Sequence, residues 1–276
     1  MSWTNSEAID GLADRAREGD GAALEQLLSA IAPSIHRFGL RMCKSDPDAQ
    51  DVLQETLLSI ATNLHQFEGR ASLSSWVFAL TRSACQRRRR GQKNQPHLGH
   101  EILETQRADT PSPEQNASNR ELGDALTRAL DGLPNEYREV LMLRDVEGLT
   151  AAQAAAALEL SVEALKSRLH RAREAMRQAL MPIREPHAPA PAPACPDIAA
   201  LWSRKLEDEL NKHDCAQIEK HVQGCPACGA ICDALKQALL ACQRSATDDV
   251  EPEVQAQVKA AMRAWSARAS ITLKTP

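Results

Sequence analysis

Aromatic residues are scarce in this chain, at 3% of 276 positions, with one Tyr, three Phe and four Trp. Strands draw on β-branched and aromatic side chains, whereas Ala and Leu, plentiful here, favour helices. A sandwich or barrel is therefore excluded as an expectation, and small helical units, an all-α chain, take its place. No run of about 18 apolar residues occurs, which removes a membrane span. The opening MSWTNSEAIDGLADRAREGD has no apolar stretch of signal-peptide length. A cytoplasmic protein with no membrane partner is expected. Acidic residues are missing from Gly69 through His100, where seven Lys and Arg fall, although the chain as a whole carries a net charge of −4. An all-basic block on a mildly acidic chain is an electrostatic footprint for a polyanion, most simply nucleic acid.

Two segments divide the chain. Residues 91–120 are polar and broken by Pro96, Pro111 and Pro113, and residues 182–196 (PIREPHAPAPAPACP) carry six prolines. Ala-Pro alternation favours polyproline II, a semi-rigid spacer rising about 3.1 Å per residue. The expected organisation is a first domain over 1–91, a flexible linker over 92–120 and a second domain over 121–181. A Pro/Ala linker over 182–194, a cysteine-rich domain over 195–243 and a tail over 244–276 follow. In the tail Val254, Val258, Met262 and Trp265 keep helical spacing.

In the first domain Asp46-Pro47 reads as a helix start, with Asp as cap and Pro at the first helical position. Val52, Leu53, Thr56, Leu57, Ile60 and Leu64 follow helical spacing, and a second stripe is Leu73, Trp76, Val77, Leu80 and Ala84. An earlier helix near 22–43 supplies Leu24, Leu27, Leu28, Ile31, Ile35 and Phe38, so a helical bundle is expected, with Trp76 in its core. The arginines Arg87, Arg88, Arg89 and Arg90 end the last helix. Asp46, Asp48, Asp51 and Glu55 form an acidic face near them that repels DNA and suits a protein partner.

Residues 133–180 read as a helix-turn-helix. Thr150 and Gln153 make a Thr-x-x-Gln capping box for an Ala-rich helix over 151–158, and Ser161 caps a longer helix with the core stripe Leu165, Leu169, Ala172 and Met176. At 100° per residue Lys166, His170, Arg173 and Arg177 cluster away from that stripe, with Ser167 and Arg171 beside them. In a major groove the early residues of such a helix meet base edges and its later arginines meet phosphates.

Of eight cysteines, Cys43 and Cys85 sit singly in helical segments as packing residues, while the other six fall within residues 195–242. Cys225-Pro-Ala-Cys228, with His221 one helical turn upstream and Cys195 further back, makes a four-ligand set suited to tetrahedral zinc. Cys215, Cys232 and Cys242 are either small buried hydrophobes or further ligands of a thiol-rich sensor for zinc, cadmium or copper. No Cys-x-Cys pair occurs, which favours zinc or cadmium. No strand pattern precedes the Cys-x-x-Cys, so a thiol oxidoreductase is not expected, and no catalytic set is found.

Taken together these motifs resemble the extracytoplasmic-function (ECF) sigma factors, short relatives of sigma-70. Asp51-Val-Leu-Gln-Glu-Thr is similar to the region 2 helix that meets the beta-prime clamp of RNA polymerase, which implies polymerase contact at Asp48, Asp51, Gln54 and Glu55. Phe67-Glu-Gly-Arg-Ala-Ser72 resembles the loop that captures an unstacked −10 base. That implies −10 roles for Phe67, Glu68, Gly69, Arg70 and Ser72, with Arg87 to Arg90 beside the strand. Leu133 through Arg173 resembles region 4, which reads the −35 element and meets the beta flap. Lys166, Ser167, Arg168, His170, Arg171 and Arg173 are then the −35 residues. The segment around Cys195, His221, Cys225 and Cys228 resembles a zinc-binding anti-sigma domain, here fused to the chain as an intramolecular partner. The resemblance implies promoter-directed transcription initiation controlled by metal. Alternatives are a helix-turn-helix repressor acting without polymerase, or control by thiol oxidation.

Overall fold

The computed structural model describes residue 3 and residues 6–92, 127–184 and 191–245. Most of the expected 92–120 linker, the Cys242 side chain and the tail beyond Ser245 lie outside the described residues. Among the described residues every regular element is helical, as composition implies.

The first domain is α1 (Ser6–Arg17), α2 (Gly21–Cys43), α3 (Asp46–Asn63) and α4 (Leu73–Gln92). The Asp20 side chain accepts from the Ala23 N–H to start α2, and Lys44, at φ 60°, ends it in the left-handed region. Helix α3 begins one residue earlier than the proposed Asp46 cap implies: Ser45 is its cap and Pro47 sits in its first turn. The anticipated stripes are buried, among them Val52, Leu53, Leu57, Ile60, Leu73, Val77 and Ala84. Phe38 and Phe78 meet at 5.6 Å between ring centroids, and Trp3 joins Phe78 at 5.8 Å. Trp76 lies half-buried at the edge of this core.

The second domain holds α5 (Asn135–Leu141), a π-helical stretch over Met142–Val146, α6 (Ala151–Leu158) and α7 (Val162–Arg184). Both halves of the Thr150–Gln153 capping box are made, and Ser161 Oγ accepts from the Ala164 N–H at 3.1 Å. Leu165, Leu169, Ala172 and Met176 are buried as their spacing implies. The π-helical stretch breaks the 3.6-residue repeat. Asp145, within it, and Glu147, just past it, are both buried.

The cysteine-rich part is α8 (Ile198–Leu206), α9 (Lys212–Gly224) and α10 (Pro226–Ser245). Asp197 and Asn211 cap α8 and α9 through side-chain oxygens. Its own apolar cluster is small: Ile198, Cys228 and Cys232, with Trp202, Ile218, Val222 and Ile231 around them. So little core cannot hold three helices alone, and α8 and α10 pack on α7 of the second domain.

The first two domains share one apolar cluster rather than standing apart at the ends of a tether. Arg37 of α2 donates from Nε and Nη2 to the two carboxylate oxygens of Glu147, at 2.8 and 3.0 Å. Glu147 is 0% exposed. Ser75 Oγ donates to the Gln153 carbonyl at 2.8 Å, and Arg82 pairs with Glu139 at 3.1 Å across the same boundary. Removing one partner of a buried ion pair leaves a desolvated charge and costs about 3–5 kcal/mol, while replacing both with apolar groups is close to neutral. Glu147→Ala is therefore expected to lower unfolding free energy by about 3–5 kcal/mol in urea titrations, and Arg37→Met with Glu147→Leu to recover most of that loss. A double variant as unstable as the single would contradict the assignment of the loss to the stranded Arg37.

Candidate nucleic-acid interface and metal centre

The loop between α3 and α4 places Gly69 at φ 72°, a left-handed conformation that any side chain would strain. Phe67 stacks on Trp76 at 5.3 Å between centroids, so its ring is half-buried rather than free. Arg70 projects outward at 86% side-chain exposure and pairs with Glu68 at 2.6 Å. Ser72 Oγ accepts from the Ser75 N–H at 3.1 Å and bonds the Ser74 and Ser75 hydroxyls, which fixes the start of α4.

Arg87 donates to Glu55 at 3.0 Å from Nε, and Arg88 pairs with Asp51. Arg89 lies 3.8 Å from Glu139 of α5, and Arg90 is exposed. The acidic face of α3 and the arginine block were read from the sequence as surfaces for two different partners. In this conformation Asp51 and Glu55 instead neutralise Arg88 and Arg87. Gln54 and Leu58 remain exposed on the outer side of α3, Leu58 at 53%, and Asp48 is half-buried.

On α7, Ser167 and Arg171 are exposed, and Arg168 and His170 are half-buried. Glu163 is exposed in its first turn. Lys166 Nζ donates to Glu209 Oε1 at 2.5 Å, and this contact holds its ammonium pKa above the usual lysine value. Arg173 departs from the helical-wheel expectation of a solvent-facing cation, being 7% exposed. It donates to both Asp145 oxygens at 2.6 and 3.0 Å, to Ser203 Oγ at 2.9 Å and to Glu207 Oε1 at 3.3 Å. Arg144, which sequence reasoning passed over, donates from Nη2 to both Glu207 oxygens at 2.8 Å and from Nη1 to the Leu149 carbonyl. Arg177 turns back to Glu174 on its own helix.

The four expected metal ligands converge. Cys195 Sγ, His221, Cys225 Sγ and Cys228 Sγ offer ligand atoms that all lie within 4.8 Å of one another. Cys195 and Cys225 sulfurs are 3.9 Å apart, and His221 Nε2 is 3.2 Å from Cys228 Sγ. A tetrahedral site with Zn–S near 2.3 Å has sulfur–sulfur edges of roughly 3.8 Å, so the donor set fits zinc in chemistry and size. Cys225 ends the α9–α10 turn, where the Cys228 N–H favours its thiolate and lowers its pKa, while burial pushes Cys228 up to about 12. Cys232 is buried in the apolar cluster and Cys215 is half-buried, and neither joins the quartet.

Comparison with known proteins matches each part in turn: Sigma-70 region 2 to residues 27–95, Sigma-70 region 4 to 123–176, and a zinc finger to 195–229. The ECF RNA polymerase sigma factor EcfG of Rhodopseudomonas palustris is 31% identical over 153 residues, 54% of this chain and 80% of its own length. The chain belongs to the ECF sigma factors. The ECF sigma factor SigE of Mycolicibacterium smegmatis is 30% identical over 167 residues, covering 59% of this chain but only 64% of SigE. Among solved structures, CnrH in complex with the cytosolic domain of CnrY is similar at TM-score 0.47 and 24% identity, over 63% of this chain and 97% of that one.

In this sigma factor sequence reasoning missed Arg144, Glu207 and Glu209, which join the zinc-finger part to region 4, and Asp145, which holds Arg173 within region 4. The one signal for them was the acid run Glu207-Asp208-Glu209 right after an apolar helix. Zinc loading is expected to give close to one ion per wild-type chain by elemental analysis, and less than a tenth of that for Cys225→Ser. Full retention by that variant would remove Cys225 from the ligand set.

Proposed function

We propose that this sigma factor directs RNA polymerase core to promoters and that an ion held by its own C-terminal domain sets whether it can do so. The observation that carries the reading is the seating of α8 and α10 on α7, the recognition helix, with a metal-ready quartet in the seated domain. The loop Phe67–Ser72 and Arg87 to Arg90 serve the melted −10 strand, since an unstacked base needs a pocket and a cationic path. Region 4, through α7, reads the duplex −35 element. Asp48, Asp51, Gln54 and Glu55 on α3, with Leu58 beside them, meet the polymerase clamp once the arginines release them.

Zinc is the best fit to the quartet, with cadmium or copper as softer alternatives on the same thiolates. An ion there ties Cys195, just before α8, to His221, Cys225 and Cys228 on α9 and α10. The four donor atoms are already gathered in this compact conformation, so an ion that binds them as they stand stabilises it over open forms. Structural zinc sites supply about 10–16 kcal/mol of apparent binding energy, and about 5.5 kcal/mol of differential binding moves an equilibrium from 1:99 to 99:1. A fraction of the available energy is enough. Oxidation is a second reading, favoured by the 3.9 Å between Cys195 and Cys225 sulfurs, because a disulfide there would expel the ion.

Run-off transcription with bacterial core polymerase tests the proposal. Zinc-loaded full chain is expected to give low output, and chelated protein or Cys225→Ser several-fold more. No transcript under any condition would remove the sigma reading, and equal output with and without metal would remove metal control alone.

A further inference from the structure

We infer that Arg144, Lys166 and Arg173 form a seat for the phosphate backbone of duplex DNA, and that Glu207 and Glu209 of the C-terminal domain occupy that seat in place of two phosphates. The inference rests on the proposed function and names how the C-terminal domain keeps region 4 from its promoter.

Three facts converge on it. Glu207 is a buried carboxylate, its side chain 4% exposed, and every hydrogen bond it accepts from outside its own domain comes from region 4, namely Arg144 and Arg173. Glu209, two residues on, holds Lys166 on the first turns of the recognition helix. These two acids flank Asp208, whose φ of 55° gives the chain a tight bend, so both carboxylates face region 4 from a single turn. Two anions on one turn, each set against a cation of the DNA-reading domain, reproduce the charge pattern of a sugar-phosphate strand.

The fit is also incomplete in a telling direction. Arg144 Nε is buried with no hydrogen-bond partner, because both Glu207 oxygens are engaged by Nη2. A guanidinium is matched by phosphate as well as by carboxylate, and a phosphate brings a further acceptor oxygen. Asp145 stays with Arg173 as an internal partner, so Arg173 offers the seat a single Nη2 donor while Arg144 and Lys166 carry the exchangeable charge. Opening then needs no bare buried arginine: as Glu207 leaves, a phosphate replaces it.

The test uses the zinc-loaded full chain and a random-sequence 30-base-pair duplex, with affinity read by fluorescence anisotropy across a salt series. Glu207→Gln with Glu209→Gln is expected to bind about tenfold more tightly near 0.1 M salt. Its log–log salt slope is expected to steepen by about 2, since each newly engaged cation adds about 0.9. Arg144→Gln added to that pair should return about half of the slope change. Glu219→Gln, which breaks only the Lys205–Glu219 pair within the C-terminal domain, is expected to behave as wild type. Wild-type affinity and slope in the Glu207/Glu209 variant, with helicity and zinc content intact, would overturn the inference. So would an equal gain from Glu219→Gln, which would mean general loosening rather than vacated seats. These outcomes do not involve polymerase, so a chain that gains DNA affinity yet never starts transcription would sink the sigma reading and leave this one standing.

Discussion

A guanidinium withdrawn from water has to be neutralised where it lies, and two of the buried arginines take their counter-charge from one short turn. Asp145 and Glu147 sit two residues apart at the end of the π-helical stretch. Glu147 reaches back to Arg37 of α2, and Asp145 reaches across to Arg173 of α7. The same turn thus ties the first domain to region 4 and fixes the recognition helix within region 4. A buried ion pair rarely adds net stability over an apolar contact of the same shape, since desolvation offsets most of the Coulomb gain. Its effect is on which surfaces meet, because any other arrangement strands a charge.

The ion pairs between α3 and α4 belong to a weaker class. Arg87–Glu55 and Arg88–Asp51 are 40–53% exposed at every side chain, where a pair is worth about 0–1 kcal/mol and is screened by salt. Such pairs separate readily. The buried pairs do not give way so readily. Separating α2 from the π-helical turn strands Arg37 unless water or a new partner reaches it. That difference orders the contacts by strength: the α3–α4 pairs part most easily, and the boundary around Glu147 least.

The sequence was legible mostly where a side chain's fate depends on its own helix, although α3 begins one residue earlier than the Asp46 cap it suggested. Stripes at helical spacing, the Thr150–Gln153 capping box, the Ser161 cap and the ligand spacing around Cys225 all follow from local geometry, and each is present. Helix α1 escaped notice because Ile9, Leu12, Ala13 and Ala16 make a thin stripe among charged residues, and its burial depends on α2. Arg173 was misplaced for a related reason. A helical wheel assigns it to the polar face, but that face is covered by a π-helical turn 28 residues earlier and by Glu207 34 residues later. Periodicity carries no information about charges brought together over such separations.

In the proposed control by metal, the short distance between the quartet and the acidic turn is what would couple them. Cys195 lies three residues before α8, and Glu207 follows directly on its last residue, so nine helical residues, about 13 Å, separate the two functions. A helix of that length is stiff along its axis, but its own core is slight and its position is set at both ends. At one end an ion on Cys195 would fix it to α9 and α10, and at the other Arg144 and Arg173 hold Glu207. Freeing the first end leaves a short helix anchored by two ion pairs and the packing of Trp202 and Leu206 near Met176. Phosphates at genomic density can compete for those same arginines. On the proposed reading a metal need not touch the DNA-reading surface to act on it, because it would bear on how firmly one carboxylate is held against two guanidiniums.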